Sequence, residues 1–261
     1  MDYALITLTA LFVSGLTLFS GFGLGTLLMP AFAVFFPIPV AVAATAVVHL
    51  ANNLFKLALV GRQAKWRVVA RFSLPAAVAA VFGAGALVGV AGLEAIASYE
   101  WLGRTFEVTP VKLVIGSLIA MFACLELSPA FAALAVPLKY LPLGGMLSGF
   151  FGGLSGNQGA FRSAFLIKSG LDKEAFIATG VVSAVIVDCT RLTVYGVSYF
   201  STSFEALPPE IVGLVLSACL AAFAGAFIGS RLLKKITLRG LQVVVALCMI
   251  GVGTGLAAGW I

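Results

Sequence analysis

Charge is what this chain has least of. Asp, Glu, Lys and Arg make up 10% of its 261 residues, and no stretch of soluble length separates its apolar runs. That excludes an extramembrane catalytic domain and a nucleic-acid-binding domain. The chain has one histidine, and its four cysteines (Cys124, Cys189, Cys219 and Cys248) lie in apolar segments without CxxC spacing. Neither a zinc site nor a disulfide framework is expected. A GxxxxGKS or GxxxxGKT run is also lacking, so nucleotide hydrolysis by this chain is excluded and no cofactor is called for. Met1-Asp2-Tyr3 has no basic flank, so residues 4–20 read as a retained helix and not a cleaved signal.

What is abundant is apolar length. The chain is 61% hydrophobic, and apolar runs of about 20 residues, the span of a bilayer's hydrocarbon core, recur throughout. These mark an all-α polytopic membrane protein. Spanning helices are expected near 3–20, 39–60, 73–93, 108–126, 174–195, 211–230 and 240–260, with shorter elements at 26–36, 142–154 and 160–170. Residues 61–72 carry Arg62, Lys65, Arg67 and Arg71 without an acid, and 231–239 carry Arg231, Lys234, Lys235 and Arg239 without an acid. Both stretches should be cytoplasmic. Residues 94–110 hold Glu94, Glu100 and Glu107 against Arg104, and 196–210 hold only acids, so both are expected outside. The net charge of +6 then reflects topology and not acidic partners.

A weak internal repeat organises these spans. Residues 11–48, shifted by 134 positions, fall on 145–182 without a gap: Ser14-Gly15 on Ser148-Gly149, Gly25 on Gly159, Ala44-Thr45 on Ala178-Thr179. Duplicated membrane units most often build transporters with the site between the halves. The charge assignment runs helix 39–60 inward and its mate 174–195 outward, which makes the repeat inverted. Each half is expected to hold a glycine-broken short hairpin, re-entrant or fully spanning, followed by three spanning helices. The first repeat is 1–126, the cytoplasmic connector 127–140 and the second repeat 141–261, with both termini outside the inner membrane.

The hairpins carry the chemistry signal. Gly21-Phe22-Gly23-Leu24-Gly25 interrupts the first, and Gly152-Gly153-Leu154-Ser155-Gly156-Asn157-Gln158-Gly159 the second at the matching place. Glycine lets the backbone break and expose N–H groups, and a short helix starting there points its positive end at the break, which favours an anion. The competing reading is close helix packing through small residues. Arg162 falls one turn into the short helix after the second break. An intramembrane guanidinium needs compensation, and its planar fork of donors suits an oxyanion, with Asp188 as the competing internal partner. Thr45, His49, Asn53 and Lys56 share one face of 39–60, with Asn52 beside them, and Asp188, Arg191 and Tyr195 share one face of 174–195. Lys56 and Arg191 could instead snorkel, and Asp188 and Arg191 could neutralise each other locally.

Gly21 to Gly25 followed by Pro30, then Pro37 to Thr45, with a second glycine-rich hairpin and Lys173-Glu174-Ala175 to Thr179, resembles the TauE/SafE family of membrane transporters across nearly the whole chain. Gly156 to Gly159, Arg162-Ser163-Ala164 and Val187-Asp188 to Arg191 resemble one branch of it. The resemblance implies movement of sulfite, organosulfonates or related small anions across the cytoplasmic membrane, often outward. The chain departs from the family's consecutive glycines at Asn157 and Gln158, and has Ala164 opposite Pro30.

The two lines together predict a secondary transporter, an exporter of a small sulfur oxyanion, working by alternating access. Gly23, Gly25, Asn157, Gln158, Gly159, Arg162 and Asn53 are the candidate substrate-binding residues. His49, Lys56, Asp188 and Arg191 are the candidates for coupling or gating. The expected partners are the anion and membrane lipid, with self-association left open. A passive anion channel is the first alternative. The second is a rhomboid-like serine protease, since Gly153-Leu154-Ser155-Gly156 matches GxSG and His49 to Asn53 matches HxxxN. No histidine follows Ser155, however, and a serine nucleophile needs a base within reach.

Overall fold

The structure is a computed structural model and describes residues 2–20, 24–134, 136–200, 210–232 and 238–261. Helices dominate. In chain order they are α1 (Asp2–Ser20), α2 (Leu24–Ala33), α3 (Ile38–Val60), α4 (Trp66–Ala91), α5 (Pro110–Leu127), α6 (Pro129–Ala132), α7 (Leu141–Ser155), α8 (Gly159–Leu166), α9 (Lys173–Tyr195), α10 (Glu210–Leu232) and α11 (Leu238–Ala257). Among the described residues, five helical stretches are long and apolar enough to cross a membrane: Ile38–Gln63, Trp66–Ala91, Pro110–Leu127, Lys173–Ser198 and Ile211–Gly229. Shorter apolar stretches, Tyr3–Gly15 and Ala246–Ala257, lie in the helices that occupy the first and last expected spans. The protein is multi-pass and all-α in class.

Local chemistry accounts for the helix ends. Asp172 caps α9, its carboxylate accepting from the Ala175 N–H at 2.7 Å, and Thr109 caps α5 by accepting from Lys112 at 3.3 Å. Such caps satisfy N–H groups that have no intrahelical acceptor. The fourth helix begins at Trp66 and not near residue 73, so Arg67 and Arg71 ride its first turns. Hydropathy marks where hydrocarbon begins, whereas a helix continues into the interface as long as its backbone bonds hold. Lys234 and Lys235 of the second basic stretch lie outside the described residues.

The helices pack in pairs far apart in sequence: α1 lies along α10, α7 along α4, α3 on α9 and α5 on α11. Contact at α4 and α7 is backbone to backbone: a Cβ on Gly145, Gly149 or Gly153 would sit 2.0, 2.0 or 2.3 Å from the carbonyl oxygens of Phe72, Ala76 and Ala80. The numbers rise together, so α4 and α7 are parallel. The same holds on the other side, where Gly225 meets Leu11 and Gly229 meets Gly15. By contrast α3 and α9 run antiparallel: His49 reaches Asp188 in mid-helix, and Lys65 just past α3 donates its N–H to Thr179 Oγ1 at 3.1 Å near the start of α9. Close approach of small residues supplies dispersion where lipid leaves no hydrophobic drive between helices.

The stretch expected as a simple outside loop contains a β-hairpin, β1 (Ala97–Trp101) and β2 (Arg104–Val108), antiparallel with Trp101 opposite Arg104. Its turn places both Leu102 and Gly103 at positive φ, 53° and 72°, the pattern of a two-residue hairpin turn. Tyr99 stacks on Phe106, Trp101 stacks on Trp260 at 5.4 Å between ring centroids, and the Tyr99 hydroxyl donates to Ala258 O at 2.6 Å. The hairpin is thereby tied to the end of α11.

Candidate functional site

The second glycine run folds as a break between two helices. Gly156 ends α7 with φ +84°, and its N–H donates to Gly152 O at 3.0 Å. Only glycine adopts that left-handed cap without penalty. A Cβ there would also come within 3.1 Å of the Arg191 guanidinium. Asn157 and Gln158 form the link to α8, both buried. Ser148 Oγ donates to Gln158 O at 2.8 Å, and Asn157 Nδ2 donates to Ser155 Oγ at 3.1 Å. The Asn157 Oδ1 is buried without a hydrogen-bond partner.

Four side chains then converge on Asp188, which is fully buried on α9. Its Oδ2 lies 2.6 Å from His49 Nδ1 and accepts from Asn53 Nδ2 at 3.1 Å, both from α3. Its Oδ1 accepts from Gln158 Nε2 at 3.0 Å and from Arg191 Nε at 3.0 Å, with Arg191 Nη2 at 2.8 Å. A buried carboxylate is tolerated only when paired and hydrogen-bonded, and here both oxygens are filled. Since an ionised carboxylate only accepts, the proton of the short contact sits on His49 Nδ1. Asn53 Nδ2, 3.1 Å from that nitrogen as well, therefore serves the carboxylate and not the ring.

Arg191 does not snorkel. It is 1% exposed, pairs with Asp188, and reaches toward Gly152 O at 3.4 Å from Nη1. Tyr195, one turn on, donates its hydroxyl to Gly153 O. The α9 face of Asp188, Arg191 and Tyr195 thus clasps the carbonyl end of α7.

Arg162 joins this network only at its edge. It is half-buried on α8, and Nη1 donates to Gln158 Oε1 at 3.2 Å, so it touches Asp188 only through that amide. Among the described residues no carboxylate lies in ion-pair distance of it. Its guanidinium runs beside Gly180, where a Cβ would stand 3.6 Å from Nε. Lys56 completes the α3 face, is 7% exposed, and has no hydrogen bond or ion pair among the described residues.

The structure therefore brings His49, Asn53, Gln158, Asp188 and Arg191 into direct contact, places Asn157, Gly159 and Arg162 at the adjoining break, and leaves Lys56 a turn along α3 from Asn53. Gly23 lies outside the described residues, and Gly25 falls in α2 without a described environment. Sequence reasoning missed Gly180, the α9 residue beside the Arg162 guanidinium, and Ser73, which donates to Ser183 Oγ at 2.9 Å and ties α4 to α9.

The family model for sulfite exporter TauE/SafE matches residues 3–256. The chain belongs to this family. Curated proteins and solved structures returned no match. TauE/SafE proteins are transporters and not enzymes, so the chain is a membrane transporter and the protease reading falls. The site geometry agrees: Ser155 Oγ donates to Phe151 O of its own helix at 3.1 Å, and His49 is engaged with Asp188.

Proposed function

We propose that the protein is a secondary transporter that exports a small sulfur-containing oxyanion across the cytoplasmic membrane. The observation that carries this is Arg162. A guanidinium held in a membrane helix bundle costs several kcal/mol when uncompensated, and the carboxylate of Asp188 is already filled by His49, Asn53, Gln158 and Arg191. Arg162 is left facing the Gly156–Gly159 break, where the first N–H groups of α8 also want an acceptor. An oxyanion satisfies both. By the sequence repeat, Gly23 and Gly25 are the matching candidates of the first half.

In this reading residues 1–126 and 141–261 are inverted halves joined by 127–140, and they rock about the site to expose it to either side. The antiparallel course of α3 and α9 and the pairing of helices far apart in sequence support that arrangement. The His49–Asp188 contact is the candidate for proton coupling, because it joins one half to the other by a titratable pair. The experiment is ligand-dependent thermal stabilisation of purified protein with sulfite, thiosulfate, sulfate, taurine, sulfoacetate and simple carboxylates. Selective stabilisation by a sulfur oxyanion, lost in Arg162→Ala, is expected. Equal shifts in both proteins, or none with any anion, would overturn the assignment.

A further inference from the structure

The network around Asp188 closes its own charge account: one carboxylate, one guanidinium, and a histidine whose Nδ1 proton is spent on the carboxylate. Two cations remain outside it, Lys56 and Arg162. They lie on the same side of Asp188. Arg162 rests against Gly180, about two turns before Asp188 on α9. On antiparallel α3, Lys56 stands beyond Asn53, next to Leu57 and near Val60, which pack with Ala178 and Val182 of that same stretch of α9. Neither has a carboxylate within ion-pair distance among the described residues. Lys56 is 7% exposed and lies on one buried face with His49 and Asn53.

We propose that Lys56 and Arg162 form a cation pair that selects a doubly charged oxyanion over a singly charged one. This rests on the anion-transport reading above and narrows its substrate class. Two like charges at close range in a low-dielectric site repel, and Coulomb energies there are several-fold larger than in water. A dianion compensates both, whereas a monoanion of the same size leaves one uncompensated. The compact ammonium of Lys56 supplies charge without geometric demand, and the Arg162 fork supplies orientation.

The test compares thiosulfate, a dianion at neutral pH, with methanesulfonate, a monoanion, at constant ionic strength. Affinities are read from thermal stabilisation of wild type, Lys56→Gln, Lys56→Arg and Arg162→Gln. Wild type is expected to bind thiosulfate at least about tenfold more tightly than methanesulfonate. Lys56→Gln should lose most of that preference by weakening thiosulfate alone, and Lys56→Arg should keep it. Arg162→Gln should weaken both anions. If Lys56→Gln gives no cooperative melt, Lys56→Met, which keeps the packed stem, carries the same comparison. Equal affinity of wild type for the two anions overturns the proposal, as does a preference unchanged in Lys56→Gln. Binding of neither anion by wild type overturns the site reading itself, a result distinct from the loss of charge selectivity.

Discussion

Asp188→Asn removes one charge and almost no volume, and its consequence follows from what surrounds it. Arg191, 1% exposed, would lose its ionised partner, and Arg191, His49, Asn53 and Gln158 would compete for the single acceptor oxygen of a neutral amide. Breaking a buried pair by removing one partner costs about 3–5 kcal/mol, mostly the uncompensated charge left behind. For a chain of this length each kcal/mol moves the melting temperature by about 2–4 °C, so a fall of roughly 10 °C is expected. The assay is thermal unfolding in lipid nanodiscs, followed by intrinsic tryptophan fluorescence. Adding Arg191→Met removes the stranded guanidinium and should restore at least half of the loss without restoring transport. A single variant that melts within about 2 °C of wild type, or a double variant no better than the single, would refute the charge-closure argument.

Gly149→Ala should cost about 1–3 kcal/mol or more, because its Cβ would lie 2.0 Å from Ala76 O and α4 must move away, whereas Gly85→Ala, with nothing within 4 Å, should leave the melt nearly unchanged. Trp101→Ala should raise hydrogen exchange across Ala97–Val108 by removing the stack on Trp260, about 0.5–1.5 kcal/mol, while leaving transport intact. Ser155→Ala should keep full transport, and a serine-directed fluorophosphonate should not label the wild type, since Ser155 is bonded to its own helix. Arg162→Ala should abolish anion-dependent stabilisation while the apo melt stays cooperative, since Arg162 has no ion pair to lose.

The helices, the breaks between them and the polar faces were readable because each is a local pattern. Gly156, Asn157 and Gln158 announce a chain break by residue type, and the spacing of Thr45, His49, Asn53 and Lys56 puts them on one buried face, which the structure reproduces. What joins those pieces was not readable. The His49–Asp188 contact spans 139 residues, and no periodicity encodes which faces of two distant helices meet. Asp188 therefore stood as one of two alternatives for Arg162, and the structure gives it instead to Arg191 and to the amide of Gln158. Gly180 carried no signal, because its place beside Arg162 depends on how α8 packs against α9. The β-hairpin is a different case. Ser98 to Trp101 and Thr105 to Val108 alternate polar and apolar residues around Leu102-Gly103, a strand pattern legible in the sequence beside the loop's charge.

The most direct test of the central claim is counterflow in proteoliposomes loaded with unlabelled thiosulfate or sulfite and presented with labelled anion outside. A carrier built on this site should show saturable uptake, stimulated by anion on the far side and abolished in Arg162→Ala. Linear, unsaturated flux without trans-stimulation would contradict alternating access and identify a pore.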